Sequence, residues 1–444
     1  MDPFSDPAKV AKLNDSPASA WPAILSAPDS PTQAKDFAAL QSACPTKGID
    51  TPYVLWRSSL SAIHTDAAQA RFVTLSGDLL AHSFDCKFQT LVPGAKPSEY
   101  VAFTEKTART VVSTLRAALP GIPIYVAMGN NDTGCGDYGL DATHDAFLGL
   151  IANIVSEALP AADRADVLRD FASGGNYTVP LAAIPHTRLI VLDDVFLSGK
   201  YITCSGKYDP RPAVAQLTWL ARQLASARLQ KEQVWVMGHI PPGVDVYATA
   251  RRSGNLCGMK PQMFLGSEDF AELLARNADI VRLGLFGHTH ADEMRLLTPE
   301  SNSTMQTVQS MLGVPLKSVA SITPIHGNLP SFTVASIDPA NATLDDYTVY
   351  MASNSTGIGT TWSKEYTYST TYHKPTYDAV AVKQLMGEFE NDHGAKSAAS
   401  QAYIHNFFPG ELSPILQLAW PQYVCSLDHD SAKDFSTCAC GATK

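Results

Sequence analysis

Along the chain, short apolar runs repeatedly end in a glycine that is followed at once by a polar side chain. The four clearest are residues 72–76 before Gly77 and Asp78, 124–128 before Gly129 and Asn130, 234–237 before Gly238 and His239, and 283–286 before Gly287 and His288. A short, continuous apolar run is typical of a strand buried on both faces, and glycine lets the backbone turn sharply where the strand ends. The pattern therefore predicts four buried strands, each with a polar residue just past its carboxyl end.

Amphipathic helices are predicted between these strands. Apolar residues recur at helical spacing in residues 98–119, 142–158, 211–229 and 270–276. Another buried strand is predicted at 188–193. Because strands and helices alternate, we expect crossover connections and a largely parallel sheet in this part of the chain.

After His290 the pattern changes to strands without helices between them. These strands are predicted at residues 294–297, 318–323, 331–337 and 343–351. We expect them to complete a second sheet. Residues 353–376 are rich in Ser, Thr, Gly and Tyr, which predicts an extended linker, and helical spacing returns at about residue 378. The predicted organisation is a domain over 1–352, the linker over 353–376, and a Cys-containing helical region over 377–444.

Composition narrows the class of protein. With 444 residues, of which 45% are hydrophobic and 17% charged, the chain can bury a large core. The net charge of −10 is spread without a basic stripe, which excludes nucleic acid as a partner. No apolar stretch has the length that a transmembrane segment needs. Residues 1–30 show no basic segment followed by an apolar one, so we expect no signal peptide within them. We also expect a monomer.

The eight cysteines are even in number, and several lie in loops rich in Gly, Ser or Asp. Disulfides are the preferred interpretation, and with them a secreted or periplasmic location. Spacing does not determine the connectivity. One suggested pair is Cys204 with Cys257, which would close the insertion between two of the predicted strands. Cys438 and Cys440 suggest a bridge within the tail, with metal binding as the alternative.

The polar residues at the strand ends predict a metal site. Asp78, Asn130, His239, His288 and His290 would meet where the carboxyl ends of parallel strands converge. Oxygen and imidazole ligands without thiolate suit Zn, Mn or Fe. An aspartate can bridge two cations, and a pair about 3.5–4 Å apart can hold a hydroxide and clamp a phosphoryl group. The chemistry that this set serves best is hydrolysis of a phosphate ester.

In their order, the four motifs resemble those of the calcineurin-like metallophosphoesterase superfamily. Residues 77–82, 238–243, 286–293 and 328–332 narrow the resemblance to the acid sphingomyelinase-like phosphodiesterase branch. The resemblance covers nearly the whole chain and implies an α/β fold, a layered sandwich of two mixed β-sheets flanked by helices, followed by a C-terminal helical region. It also implies two divalent metal ions in the complete protein, with zinc preferred and Mn or Fe as alternatives.

Carried over to this chain, the resemblance makes Asp78 the bridging ligand. Asn130, His239 and His288 then complete the second metal site, and His290 belongs to the first. The Asp-x-His motif that the family carries at the end of its first strand does not occur before Asp78. We therefore expect the chain to lack that N-terminal strand, to bind one ion tightly and the other weakly, and to turn over poorly.

Three further residues are candidates for catalysis or substrate binding. Asn131 stands where the family commonly has a histidine that protonates the leaving group, and an asparagine has no proton to give at neutral pH. This favours anhydrides and activated diesters. His82 either supplies the missing acid or makes only a supporting hydrogen bond. His326 either contacts the substrate or forms an ordinary loop hydrogen bond.

The predicted function is metal-dependent hydrolysis of phosphodiester or phosphoanhydride bonds by a metal-activated hydroxide. The expected substrate is a small phosphorylated molecule: a phosphodiester, a nucleotide, polyphosphate or a phospholipid head group. The alternative is a truncated or noncatalytic descendant that binds phosphorylated ligands at an incomplete dimetal site.

Overall fold

The computed structural model describes residues 1–142, 145–253, 256–257, 260–299 and 313–441. From β1 to β6, one or more helices separate most successive strands, as the apolar spacing predicts. The α-helices are α1 Val10–Asp15, α2 Trp21–Ser26, α3 Gln33–Ala43, α4 Tyr53–Asp66, α5 Phe84–Leu91, α6 Pro97–Ala118, α7 Ala146–Glu157, α8 Arg164–Ala172, α9 Arg211–Gln230, α10 Val246–Ser253, α11 Asp269–Arg276, α12 Tyr368–Tyr372, α13 Ala379–Asn391, α14 Ala398–Asn406, α15 Pro414–Leu418, α16 Trp420–Asp428 and α17 Ala432–Gly441. Short 3₁₀ helices occupy Pro7–Lys9, Ala18–Ala20 and Asp194–Leu197.

The strands form mixed β-sheets among these helices. They are β1 Val73–Leu75, β2 Ile124–Val126, β3 Tyr177–Pro180, β4 Thr187–Val191, β5 Gln233–Met237, β6 Val281–Phe286, β7 Glu293–Leu297, β8 Val314–Ser318, β9 Ser331–Asp338, β10 Thr343–Ala352 and β11 Trp362–Thr367. The largest sheet has the order β3-β4-β5-β6-β8-β7, in which the four inner strands run parallel and both outer strands are antiparallel. The predicted α/β class is therefore confirmed.

Strand register brings the polar strand ends together. In the large sheet, Met237 at the end of β5 pairs with Leu285 near the end of β6. In the two-stranded sheet, Leu75 of β1 pairs with Val126 of β2 in a parallel ladder. Each pair of strands therefore ends at one level, and the residues that follow leave the sheet side by side.

Three sheets are present in the described part of the chain, where two were expected. The third has the order β11-β10-β9 and is antiparallel. It does not join β1-β2, because the second edges of β1 and β9 pair with no described strand. One of the two expected sheets is thus divided into two pieces.

An apolar cavity of about 680 Å³ separates β1 from β9. Side chains of α4 and α6, among them Ile63 and Leu115, line one wall, and Trp235 lines another. Its far end reaches Asp78 and His290. Strand β2 is wholly buried, whereas every residue of β1 is only half-buried, because β1 faces this cavity.

The segment 353–376 is not the extended linker that its composition suggested. Strand β11 lies within it and pairs antiparallel with β10, and α12 follows directly. Tyr366 and Tyr368 are buried, and the Tyr366 hydroxyl donates to Asp292 Oδ2 at 2.7 Å. Thr and Tyr have high strand propensity, which outweighs the loop tendency of Ser and Gly once a partner strand is available. The outer domain boundaries stay predictions.

The strand expected at 318–323 lies earlier in the chain, as β8 at Val314–Ser318. Pro315 and Lys317 interrupt its apolar pattern, so the strand could not be predicted at this position from the sequence. Lys317 is nevertheless buried, and its ammonium donates to Ser318 O at 2.9 Å.

The predicted disulfides are present: the suggested Cys204–Cys257 pair is wrong, whereas the bridge expected within the tail is confirmed as Cys425–Cys438. The bridges are Cys44–Cys86, Cys135–Cys204, Cys257–Cys440 and Cys425–Cys438. Cys204 meets Cys135 because Leu140 N donates to Ile202 O at 3.0 Å and draws their loops together. Cys438 and Cys440 both lie on α17, and residues two apart on a helix do not face each other. No described helix is long and apolar enough to cross a membrane.

Candidate metal centre

Glycines at the strand ends let the site side chains approach the backbone. Gly77 has φ 95°, and a Cβ added there would lie 2.6 Å from Gly129 N and 2.8 Å from His239 Nδ1. A Cβ on Gly129 would overlap the Asp78 carboxylate. Gly77 is therefore needed for its left-handed backbone and for the space that a side chain would fill, and Gly129 is needed for the space alone.

Three of the predicted site residues have strained backbones. The φ angles of Asp78, His288 and His290 are 55°, 63° and 61°. A left-handed conformation costs a residue with a side chain about 1–3 kcal/mol, and such residues cluster where function requires a particular geometry. The strain supports a functional role for this part of the molecule.

Four polar side chains converge at the ends of β1, β2, β5 and β6. Asn130 Oδ1 lies 3.1 Å from His239 Nε2 and 2.9 Å from His288 Nδ1. The two histidine nitrogens are 3.3 Å apart, and Asp78 Oδ2 lies 3.3 Å from His239 Nε2. Ligands bound about 2.1 Å from one tetrahedral ion are about 3.4 Å apart. The donor atoms of Asn130, His239 and His288 therefore fit a shared divalent cation, and the Asp78 carboxylate lies beside them.

Backbone and side-chain contacts orient this set. His239 Nδ1 donates to Ser76 O at 2.7 Å, which leaves Nε2 facing Asn130. Asn130 Nδ2 donates to Asp137 Oδ1 at 2.7 Å, so its oxygen points at the histidines. Asp137 was not predicted as a site residue, although it lies in the same polar loop as Asn130.

Asp194 is a second contributor that sequence reasoning missed. Its Oδ2 accepts the backbone N–H groups of His239 at 2.8 Å and Ile240 at 2.9 Å. Asp194 follows directly after the predicted strand 188–193, the same kind of position that pointed to the predicted metal ligands, and this signal could have found it. Burial raises its pKa to about 7.

Asn131 lies against Asp78. Its backbone N–H donates to Asp78 Oδ1 at 3.0 Å, and its Nδ2 donates to Oδ2 at 2.9 Å. Both oxygens of the carboxylate are thus held by one residue. Asn131 orients Asp78 here, and the catalytic and substrate contacts predicted for it stay predictions.

The remaining histidines form a second group beside Asp78. The ring centroids of His290 and His326 are 4.8 Å apart, and those of His290 and His82 are 5.5 Å apart. Donor atoms of Asp78, His82 and His290 all lie within 4.8 Å of one another. His326 is half-buried next to this group, where a substrate contact stays a prediction. The structure therefore brings every predicted site residue into one neighbourhood.

Electrostatics couple Asp78 to His239. Burial by itself would raise the pKa of Asp78, but the charge and hydrogen bond of His239 hold it well below its usual range. Burial works against a charged His239, yet Asp78 raises its pKa to about 9. Burial and the charge of His239 lower the pKa of His288 to about 3. A cation bound here therefore displaces a proton from His239, and His288 is already neutral for binding.

Comparison with known proteins identifies the family. Residues 58–292, more than half of the chain, match the family model described as calcineurin-like phosphoesterase. The chain belongs to this family. The matched segment includes the ends of β1, β2, β5 and β6 and all residues from Asp78 to His290. A calcineurin-like fold implies divalent metal ions, which agrees with the donor set at these strand ends.

The relatives agree with the branch predicted from the sequence. The chain is 26% identical over 287 residues to a cyclic GMP-AMP phosphodiesterase, SMPDL3A, of Rattus norvegicus, a match that covers 64% of this chain and 56% of that protein. It is 24% identical to sphingomyelinase phosphodiesterase C of Dictyostelium discoideum, with 59% and 52% covered. It is 22% identical to acid sphingomyelinase-like phosphodiesterase 3b of Homo sapiens, with 88% and 80% covered.

The chain matches only about half the length of the first two relatives. Among solved structures, a dimetal phosphatase from Danio rerio superposes with a TM-score of 0.37 at 14% identity, covering 66% of this chain and 84% of that one.

Proposed function

We propose that this protein is a metal-dependent hydrolase that cleaves phosphodiester or phosphoanhydride bonds. The observation that supports the proposal most is the convergence of Asp78, Asn130, His239 and His288, whose neighbouring donor atoms lie 2.9–3.3 Å apart. Family membership adds independent support.

The proposed site divides its residues between two cations. Asn130, His239 and His288 would hold one, His290 the other, and Asp78 would bridge them. Divalent cations in such a site lower the pKa of water and stabilise the charge of a phosphoryl group. The chain itself supplies the fixed geometry: Asn131 holds both oxygens of Asp78, and Ser76 O fixes the tautomer of His239. Zinc is the first candidate, with Mn and Fe as alternatives.

The proposed substrates are small phosphorylated molecules with good leaving groups. Asn131 supplies no proton, so an alkoxide leaving group would depart slowly, whereas a nitrophenolate or a phosphate departs as a stable anion. The relatives' names contain both a nucleotide phosphodiesterase and sphingomyelinase phosphodiesterases, which supports a phosphodiester as the reacting group.

Hydrolysis of bis(4-nitrophenyl) phosphate by the purified chain, supplied with Zn or Mn, tests the proposal. We expect metal-dependent turnover that Asp78→Asn and His239→Ala reduce by a factor of about 100 or more, because each removes a ligand. His64→Ala is the matched control, since His64 is exposed on α4 away from the site. Binding of metal and phosphate without turnover would contradict the proposal and favour the noncatalytic alternative.

We also propose that the protein works as a monomer in an oxidising compartment, secreted or periplasmic. The four disulfides of the described chain support this location. Thermal unfolding with and without reductant, together with size-exclusion chromatography, tests both points.

A further inference from the structure

We propose that His82 is a third protein ligand of the first metal site, together with Asp78 and His290. The inference rests on the part of the proposed function that concerns cation binding, and it does not depend on turnover. Donor atoms of these three residues lie within 4.8 Å of one another, which is close enough for one ion to contact all three. His82 comes from the loop after β1, four residues beyond Asp78, and His290 from the loop after β6.

A buried carboxylate fixes the orientation of His82. Asp50 Oδ1 lies 2.8 Å from His82 Nδ1, and Asp50 Oδ2 accepts the His82 backbone N–H at 3.1 Å. Asp50 is only 4% exposed. A histidine that binds a metal through one nitrogen typically donates its other N–H to a carboxylate, which fixes the tautomer and strengthens the ligand. With Nδ1 on Asp50, the other nitrogen of His82 is free for a cation.

Asp50 itself is held in place by buried charge. Lys87 Nζ lies 3.2 Å from Asp50 Oδ2 and 3.0 Å from Asp2 Oδ2, and all three residues are buried. A carboxylate between a lysine and a histidine cannot turn away without leaving a buried charge unpaired. The His82 ring is therefore held in position by a network that extends well beyond the site.

The third ligand, His290, carries an unused donor atom. It is 5% exposed, and its Nδ1 has no hydrogen-bond partner among the described residues. A buried polar atom without a partner costs about 1–3 kcal/mol. A cation between the rings of His290 and His82, whose centroids are 5.5 Å apart, supplies a partner.

This assignment changes the expected ligand count. Asp78 and His290 alone would give the first ion two protein ligands. With His82 the site has three, the number that catalytic zinc sites combine with an open position for water or substrate. Because both ring nitrogens of His82 are then occupied, His82 is not the acid that protonates the leaving group.

Titration of the metal-free protein with Co²⁺ tests the assignment, because the visible spectrum of Co²⁺ reports the number of nitrogen ligands. In the parent protein we expect two ions per chain. His82→Ala should change the spectrum of one ion and weaken its binding by a factor of 10 or more. Asp50→Asn should weaken binding of the same ion by about 10-fold, because it removes only the hydrogen bond that orients the His82 ring.

His326→Ala is the matched control. The His326 ring also contacts His290, but His326 is not in the group of donor atoms that Asp78, His82 and His290 form. The Co²⁺ spectrum of this variant should stay that of the parent. His82→Gln, with circular dichroism, provides a second variant should the alanine variant unfold. Unchanged spectra and affinities in a folded His82 variant would overturn the assignment while leaving the proposed function intact. A parent chain that binds no cation would overturn both.

Discussion

At the scale of single residues, we propose that Asn131 limits which leaving groups the site can expel. Its amide and backbone N–H both donate to Asp78, and the side chain offers no titratable proton. Asn131 is 5% exposed, so solvent cannot readily take its place. Asn131 therefore orients the Asp78 carboxylate, and we expect it to supply no proton to a leaving group.

Replacing Asn131 with histidine should widen the range of leaving groups. A histidine at this position can protonate a departing alkoxide, and general acids typically contribute rate factors of about 10²–10⁴. We expect Asn131→His to raise kcat for a dialkyl diester, which must lose an alkoxide, by about tenfold or more. The rate for bis(4-nitrophenyl) phosphate should stay within about threefold, because nitrophenolate needs no proton. Equal acceleration of both substrates would contradict this explanation.

At the scale of elements, β1 and β9 are unusual because each has one edge that pairs with no described strand. The cavity between them is lined mainly by apolar side chains, including Trp235, Leu115 and Ile63. Exposed strand edges are usually protected, since they can pair with other chains. Here the two edges face a space of about 680 Å³, which is large enough for a small apolar ligand.

An apolar dye such as anilinonaphthalene sulfonate should bind the native protein saturably at this cavity. Energy transfer from Trp56 and Trp235, which both line the cavity, would report binding. At 100 times its Kd, such a ligand should raise the free energy of unfolding by about 2.7 kcal/mol. Val334→Trp should weaken dye binding, because the larger ring fills part of the cavity. Leu229→Trp, at a position that is 86% exposed, is the control and should not.

At the scale of the whole molecule, buried polar contacts hold the C-terminal helices against the large sheet. The Tyr423 hydroxyl of α16 donates to Glu293 Oε1 of β7 at 2.8 Å, and Arg295 pairs with the same carboxylate at 3.0 Å. These groups are buried, where each needs its partner. Cys257–Cys440 joins α17 to the loop after α10, and Cys425–Cys438 joins α16 to α17.

The two tail disulfides should differ in their contribution to stability. The Cys257–Cys440 bridge spans 183 residues and the Cys425–Cys438 bridge only 13. Because a longer closed loop removes more entropy from the unfolded chain, replacing the first pair by serines should cost about 2 kcal/mol more than replacing the second. Guanidinium unfolding of the two double variants measures the difference. An equal or smaller loss for the Cys257–Cys440 variant would show that the tail is held mainly by its buried contacts.

Much of the fold was predictable because its signals are local. The strands that end at Gly77, Gly129, Gly238 and Gly287 were recognisable from apolar runs, and the helices between them from apolar spacing. The sequence also showed which residue types follow those strands and which family the motifs resemble. Each signal is a property of a few consecutive residues, and strand burial and helix amphipathicity depend on such short stretches.

Only the tertiary structure decided which distant segments meet. It paired Cys257 with Cys440, placed β11 where composition suggested a linker, and separated the facing edges of β1 and β9 by a cavity. It also brought Asp50 and Asp194 to the site residues that they orient. These contacts join residues far apart in the chain, and no local periodicity encodes them. The sequence by itself determined the chemistry available at the strand ends, whereas the packing of loops and helices decided how that chemistry is arranged.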